Sequence, residues 1–165
     1  MSLRTALLAG VVGAVLAPGA AQAQVVWVVR HAEKVDEGKD PDLSAQGHLR
    51  AERLGRALRD VPLTAVYVTH LKRTRQTAAA VLARGRWEPV TLPAGDVDGL
   101  VARIRGHRPG EQVFVVGHSD TLPRVWSALG CSRPLTLRHD EYDLLLRLDL
   151  DATPATRCTV LRQEN

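Results

Sequence analysis

The chain has 165 residues, 45% of them hydrophobic and 24% charged, with a formal net charge of +4. That is enough for one compact domain and excludes a disordered or multi-spanning protein. Aromatic residues make up only 4% of the chain and no basic stripe runs along a face, so the charge favours local anion binding over a nucleic-acid groove, and no nucleic-acid partner is expected.

The first segment carries Arg4, an apolar run over residues 6–16, the breaker Pro18, and the small residues Ala21 and Ala23. This is the layout of a secretory signal, residues 1–23, cleaved after Ala23 to leave a domain over residues 24–165. The run falls short of the roughly 20 apolar residues a membrane span needs. The expectation is therefore a periplasmic or secreted protein with no stable membrane anchor. Export leaves two readings for Cys131 and Cys158, a disulfide or two separately buried thiols. Neither has metal-ligand spacing.

Residues 25–30 form a short apolar run suited to a strand buried on both faces. Asp40, Pro41 and Asp42 read as a turn, and Ser44 as the cap of a helix whose stripe of Leu49, Leu54, Ala57, Leu58 and Val61 ends near Asp60. Residues 65–69 give a second strand and 73–84 an Ala-rich helix closed by Gly85. A weaker strand is expected over 87–92. Val97, Leu100, Val101 and Ile104 then fall at helical spacing behind Asp96 as cap. Residues 112–117 form another buried strand, followed by a helix with Leu122, Trp126 and Leu129 that ends at Gly130. Residues 143–150 and 155–162 lack an intervening helix and suggest a hairpin around Thr153 and Pro154, with Tyr142 beginning an edge strand. Together these elements predict an α/β fold, a three-layer αβα sandwich with a mostly parallel mixed sheet and an antiparallel edge.

In such sheets ligands bind beyond the carboxyl ends of the strands. The first strand delivers Arg30 and His31, and the second Thr69 and His70, followed by Arg73 and Arg75 at a helix start. The strand ending at Gly117 delivers His118, Ser119 and Asp120. The same dipeptides recur around His48, His107 and His139, but those copies fall in a helix, a loop and a turn. Of the histidines in these dipeptides, only His31 and His118 directly follow a buried strand. Trp27 and Trp126 read as core residues. Two imidazoles with two guanidinium groups suit a tetrahedral dianion: arginines supply forked donors that stay charged, and a neutral imidazole can attack phosphorus. Arginines can neutralise the phosphoryl oxygens, so no metal or other cofactor is expected.

The blocks "VVRHAEK", "LSAQGHLRA", "VYVTHLKRTRQTA" and "VVGHSDTLP", in that order, resemble the histidine phosphatase superfamily, also called phosphoglycerate-mutase-like. The resemblance implies that His31 is the phosphorylated nucleophile and that Arg30, Arg73 and His118 complete the phosphate pocket. Arg73 holds the family's position in preference to Arg75, and Glu33 supports the site by hydrogen bonding. Larger members carry a glutamate proton donor in an insertion that is short here. Asp120 is the expected donor; Glu33, Asp96, Asp98 and Glu88 are alternatives, and good leaving groups need none. For Asp96 the helix cap is the better reading. His70 belongs either at the pocket mouth or on a surface loop. The expected function is a metal-independent phosphatase acting on phosphate monoesters or phospho-amino acids, small-molecule or protein-borne, through a phosphohistidine. The competing reading is a module that binds phosphate or a phospho-ligand without turnover.

Overall fold

The computed structural model describes residues 22–85, 87–150 and 156–163. It contains a six-stranded sheet in the order β3-β2-β4-β1-β5-β6, built from β1 (Gln24–Arg30), β2 (Leu63–Thr69), β3 (Val90–Leu92), β4 (Gln112–Gly117), β5 (Leu144–Leu150) and β6 (Arg157–Arg162). The first four strands pair in parallel, whereas β5 pairs antiparallel with both β1 and β6. The expected α/β architecture is present. Among the described residues four helices cover the sheet: α1 (Ala45–Ala57), α2 (Lys72–Leu82), α3 (Val97–Arg105) and α4 (Leu122–Ala128).

The strands read as unbroken apolar runs because both faces are covered. Val25, Trp27 and Val29 of β1 pack with Phe114, Leu54 and Val81 on the α1/α2 side. Val26 and Val28 pack with Val113, Ile104 and Trp126 on the α3/α4 side. Both tryptophans expected in the core are there. β3 is shorter than the predicted strand, because only Val90–Leu92 find partners on β2. Trp87 packs against the α1/α2 cluster instead.

The α1 helix begins as expected, with the Ser44 hydroxyl accepting from the Gly47 N–H. Its buried stripe differs from the expected one at two positions: Leu49 and Ala57 are exposed, while Arg50 is buried and pairs with Glu33. The helix end sits tightly on the chain after β1. The Ser44 N–H donates to the Glu33 carbonyl at 2.9 Å, and a Cβ on Gly47 would collide with that same carbonyl.

Cys131, just after α4, is disulfide-bonded to Cys158 on β6, with Cα atoms 5.9 Å apart; this decides between the two readings of the pair. The bond ties the edge strand to the α4 layer. The hairpin joining β5 to β6 is present as antiparallel pairing, while its predicted turn at Thr153 and Pro154 lies outside the described residues. So do residues 1–21 of the predicted leader. Among the described residues no helix is long and apolar enough to cross a membrane.

Candidate active site

Parallel register brings the site together. Arg30, the last residue of β1, pairs with Gly117, the last of β4, so His31 and His118 emerge side by side. The His31 N–H donates to the Gly117 carbonyl at 2.9 Å, extending the ladder by one residue, and the two ring centroids lie 5.4 Å apart. Arg73 enters from the first turn of α2. That helix is fastened by Thr77, whose hydroxyl donates to the Arg73 carbonyl at 2.7 Å and accepts from the Ala32 N–H at 2.9 Å. Arg30, His31, Arg73 and His118 line one cleft, together with Asp120.

His31 Nδ1 lies 2.8 Å from the Ala32 carbonyl. A carbonyl only accepts, so Nδ1 carries the proton and Nε2 keeps its lone pair. Burial holds the His31 pKa down at about 3, and the cationic neighbours Arg30 and Arg73 act in the same direction. His118 is lowered to about 4, first by burial and then by Arg73. Both rings are thus neutral at physiological pH. Among the cleft residues, three buried nitrogens have no partner within the described residues: Arg30 Nε, Arg73 Nε and His118 Nδ1. An unsatisfied buried polar group costs about 1–3 kcal/mol, so a convergence of three points to a ligand that supplies acceptors.

The lowered imidazole pKa values have a consequence for stability. In the unfolded chain these groups take up protons near their ordinary 6.5, in the fold only near 3 and 4. Between those values the unfolded chain binds more protons, so stability falls as pH drops from 6.5 toward 4, by at most about 1.4 kcal/mol per pH unit for each ring. Urea unfolding at about pH 7 and about pH 5 should show the lower midpoint at pH 5, and an added phosphate anion should reduce the difference.

The candidate acids separate clearly. The Glu33 carboxylate is clasped by Arg50, with Nε at 2.9 Å from both oxygens and Nη2 at 2.6 Å from one, and it lies outside the cleft lining. It joins the chain after His31 to α1. Asp96 caps α3 by accepting from the Gly99 N–H at 2.9 Å, Asp98 sits exposed in the first turn of that helix, and Glu88 is exposed outside the cleft. Of the five carboxylates expected as candidates, Asp120 alone lines the cleft. Glu37, which the sequence did not single out, also lines it, paired with Lys34 at 2.6 Å. That bond keeps the Glu37 carboxyl below its usual range, which suits an anion better than a proton donor. His70 is exposed and outside the cleft lining.

Two further residues belong to the site. Thr69, at the tip of β2, places its hydroxyl 3.1 Å from His118 Nε2 and 2.9 Å from the Thr74 hydroxyl, orienting the ring. Tyr142 does not begin an edge strand: it precedes β5, which lies inside β6, and its ring stacks on the Arg30 guanidinium at 4.0 Å. The nearby His139, expected only to mark a turn, does so and also lines the cleft.

Residues 26–95 match the family described as Histidine phosphatase superfamily (branch 1). Among solved structures, the fold is similar to that of the protein histidine phosphatase SixA complexed with tungstate, with a TM-score of 0.66 at 19% identity, over 84% of this chain and 97% of that one. A candidate alpha-ribazole-5'-P phosphatase from Escherichia coli gives a TM-score of 0.68 at 18% identity, covering 86% and 97% of the two chains. A candidate phosphohistidine phosphatase SixA from Nakamurella multipartitia gives 0.63 at 25% identity, covering 87% and 98%. No curated protein matches this chain in sequence.

Proposed function

From the match of residues 26–95 to the Histidine phosphatase superfamily (branch 1), we propose that the chain belongs to that family and is a phosphatase working through a phosphohistidine on His31. Its substrates are phosphate monoesters or phospho-amino acids. The observation that carries this reading is the set of three unpartnered buried nitrogens, Arg30 Nε, Arg73 Nε and His118 Nδ1, sharing a cleft with His31. Similar folds occur in proteins named for both nitrogen-linked and oxygen-linked phosphate, and both chemistries suit the site.

In the proposed cycle, His31 Nε2 attacks phosphorus in line and a P–N bond forms as the ester P–O bond breaks. The leaving oxygen takes a proton from Asp120. Water then attacks the phosphohistidine and gives a proton to the Asp120 carboxylate, the P–N bond breaks back to neutral imidazole, and inorganic phosphate leaves with Asp120 again protonated. Arg30, Arg73 and His118 hold the non-reacting oxygens, where the demand of phosphoryl transfer is greatest. Export of residues 24–165 is part of the same proposal. It is supported by the disulfide between Cys131 and Cys158, which persists best in oxidising compartments.

The test is phosphate release from a panel of phosphomonoesters by the purified chain in the presence of a chelator; release from none, with phosphate binding retained, overturns the phosphatase reading in favour of a binding module. Asp120→Asn provides a narrower check. With alkyl phosphates, whose leaving groups need a proton, kcat should fall by about a hundredfold. With aryl phosphates bearing stable phenolate leaving groups it should change less than about threefold. Equal losses on both would remove Asp120 from the role of donor.

A further inference from the structure

Arg30 is only 5% exposed, and among the described residues no acidic side chain holds its guanidinium. Its Nη1 donates to three backbone carbonyls of one segment: Arg138 at 3.3 Å, His139 at 2.8 Å and Glu141 at 3.3 Å. Its Nη2 donates to the Tyr142 hydroxyl at 3.3 Å, and its Cζ lies 4.0 Å from the Tyr142 ring centroid. The segment is fastened from behind. Arg162 on β6 reaches Asp143 at 2.7 Å and Glu141 at 2.8 Å.

A guanidinium carries five N–H groups in a rigid fork. The three carbonyls take up the two on Nη1, and the tyrosine hydroxyl one on Nη2. What remains is Nε–H and a second Nη2–H, on the same edge of the fork. That edge is the one suited to bidentate contact with an oxyanion, and its Nε is the buried nitrogen without a protein partner. Carbonyls also hold a cation without neutralising it, as a carboxylate would. Arg30 therefore keeps its full charge for the ligand.

We propose that Tyr142 is a positioning residue: with the carbonyls of residues 138–141 it fixes Arg30 so that its Nε/Nη2 edge faces the anion. This rests on the phosphate-pocket reading above but not on turnover. The face of the ring holds the cation in plane, and cation–π contact of this kind strengthens when desolvated. The hydroxyl contributes one long hydrogen bond and matters less.

Binding of inorganic phosphate, measured by calorimetry on the full chain, tests the proposal directly. Tyr142→Leu, which fills the space without a π face, should weaken phosphate about tenfold, and Tyr142→Phe by less than about threefold. In an Arg30→Lys background the same Tyr142→Leu change should cost little more, because the fork it orients is gone. Thermal unfolding of each variant checks that the fold is intact, and Tyr142→Phe remains as a comparison should Tyr142→Leu unfold: an order-of-magnitude loss in Tyr142→Phe would overturn the stacking role. Native-like binding by Tyr142→Leu would overturn the proposal, as would an undiminished loss in the Arg30→Lys background. Failure of the native chain to bind phosphate would instead overturn the pocket itself.

Discussion

His31→Ala is expected to abolish phosphomonoester turnover, with kcat falling by on the order of 10⁴-fold or more. The reason is chemical rather than structural. The imidazole is the only group in the proposed cycle that bonds to phosphorus, and no neighbour is placed to replace it. His118 lies with its ring centroid 5.4 Å away, but its Nε2 is engaged with the Thr69 hydroxyl and its Nδ1 is assigned in the proposed cycle to a non-reacting oxygen. The arginines cannot act as nucleophiles, since a guanidinium stays protonated. Phosphate affinity should fall far less than kcat, because Arg30, Arg73 and His118 remain. A variant that loses turnover and phosphate binding in parallel would mean that the substitution had disturbed the pocket. Steady-state kinetics combined with phosphate titration separates the two outcomes.

The second large effect concerns stability. Reducing the bond between Cys131 and Cys158, which are 27 residues apart, should cost about 3–4 kcal/mol on the chain-entropy model. For a chain of this size that lowers Tm by roughly 10 °C. The closed loop contains β5 and the segment that holds Arg30, so the loss reaches beyond the edge strand. β6 pairs with β5 alone, and its side chains are largely exposed; without the cross-link that ladder and the exposed Arg162 ion pairs are its main attachments. Once β6 loosens, Arg162 no longer clamps Glu141 and Asp143. Denaturant unfolding with and without a thiol reductant should show the shift in midpoint, and Cys131→Ser/Cys158→Ser should match the reduced protein. An unchanged midpoint under full reduction would show that the bond contributes nothing to stability.

The parts of the molecule that were legible in the sequence are those whose physics is local. β1 and β4 are covered on both faces, so they appear as unbroken apolar runs, and the first polar residues after them mark the sheet edge where the site lies. Ser44 and Asp96 announced their helices because a capping side chain must follow the chain by only three residues. Tyr142 could not be reached that way. It meets Arg30 because β5 runs antiparallel to β1, Val29 pairing with Leu145, so the residues entering β5 lie beside those leaving β1. Strand order decides that contact, and nothing in the stretch around Tyr142 encodes it. The clasp between Glu33 and Arg50 was hidden for a related reason. It required α1 to dock its Gly47 face on the chain after β1, which exchanged Leu49 for Arg50 on the buried side.

The central claim is that His31 carries the phosphoryl group, and trapping it is the most direct measurement. The native chain, mixed with a radiolabelled aryl phosphate and quenched in alkali within milliseconds, should hold label that is stable to base and labile to acid, the signature of a phosphoramidate. Peptide mapping should place it on His31, with none on His31→Ala. Label on His118 or any other residue, or turnover in His31→Ala at the native rate, would contradict the account.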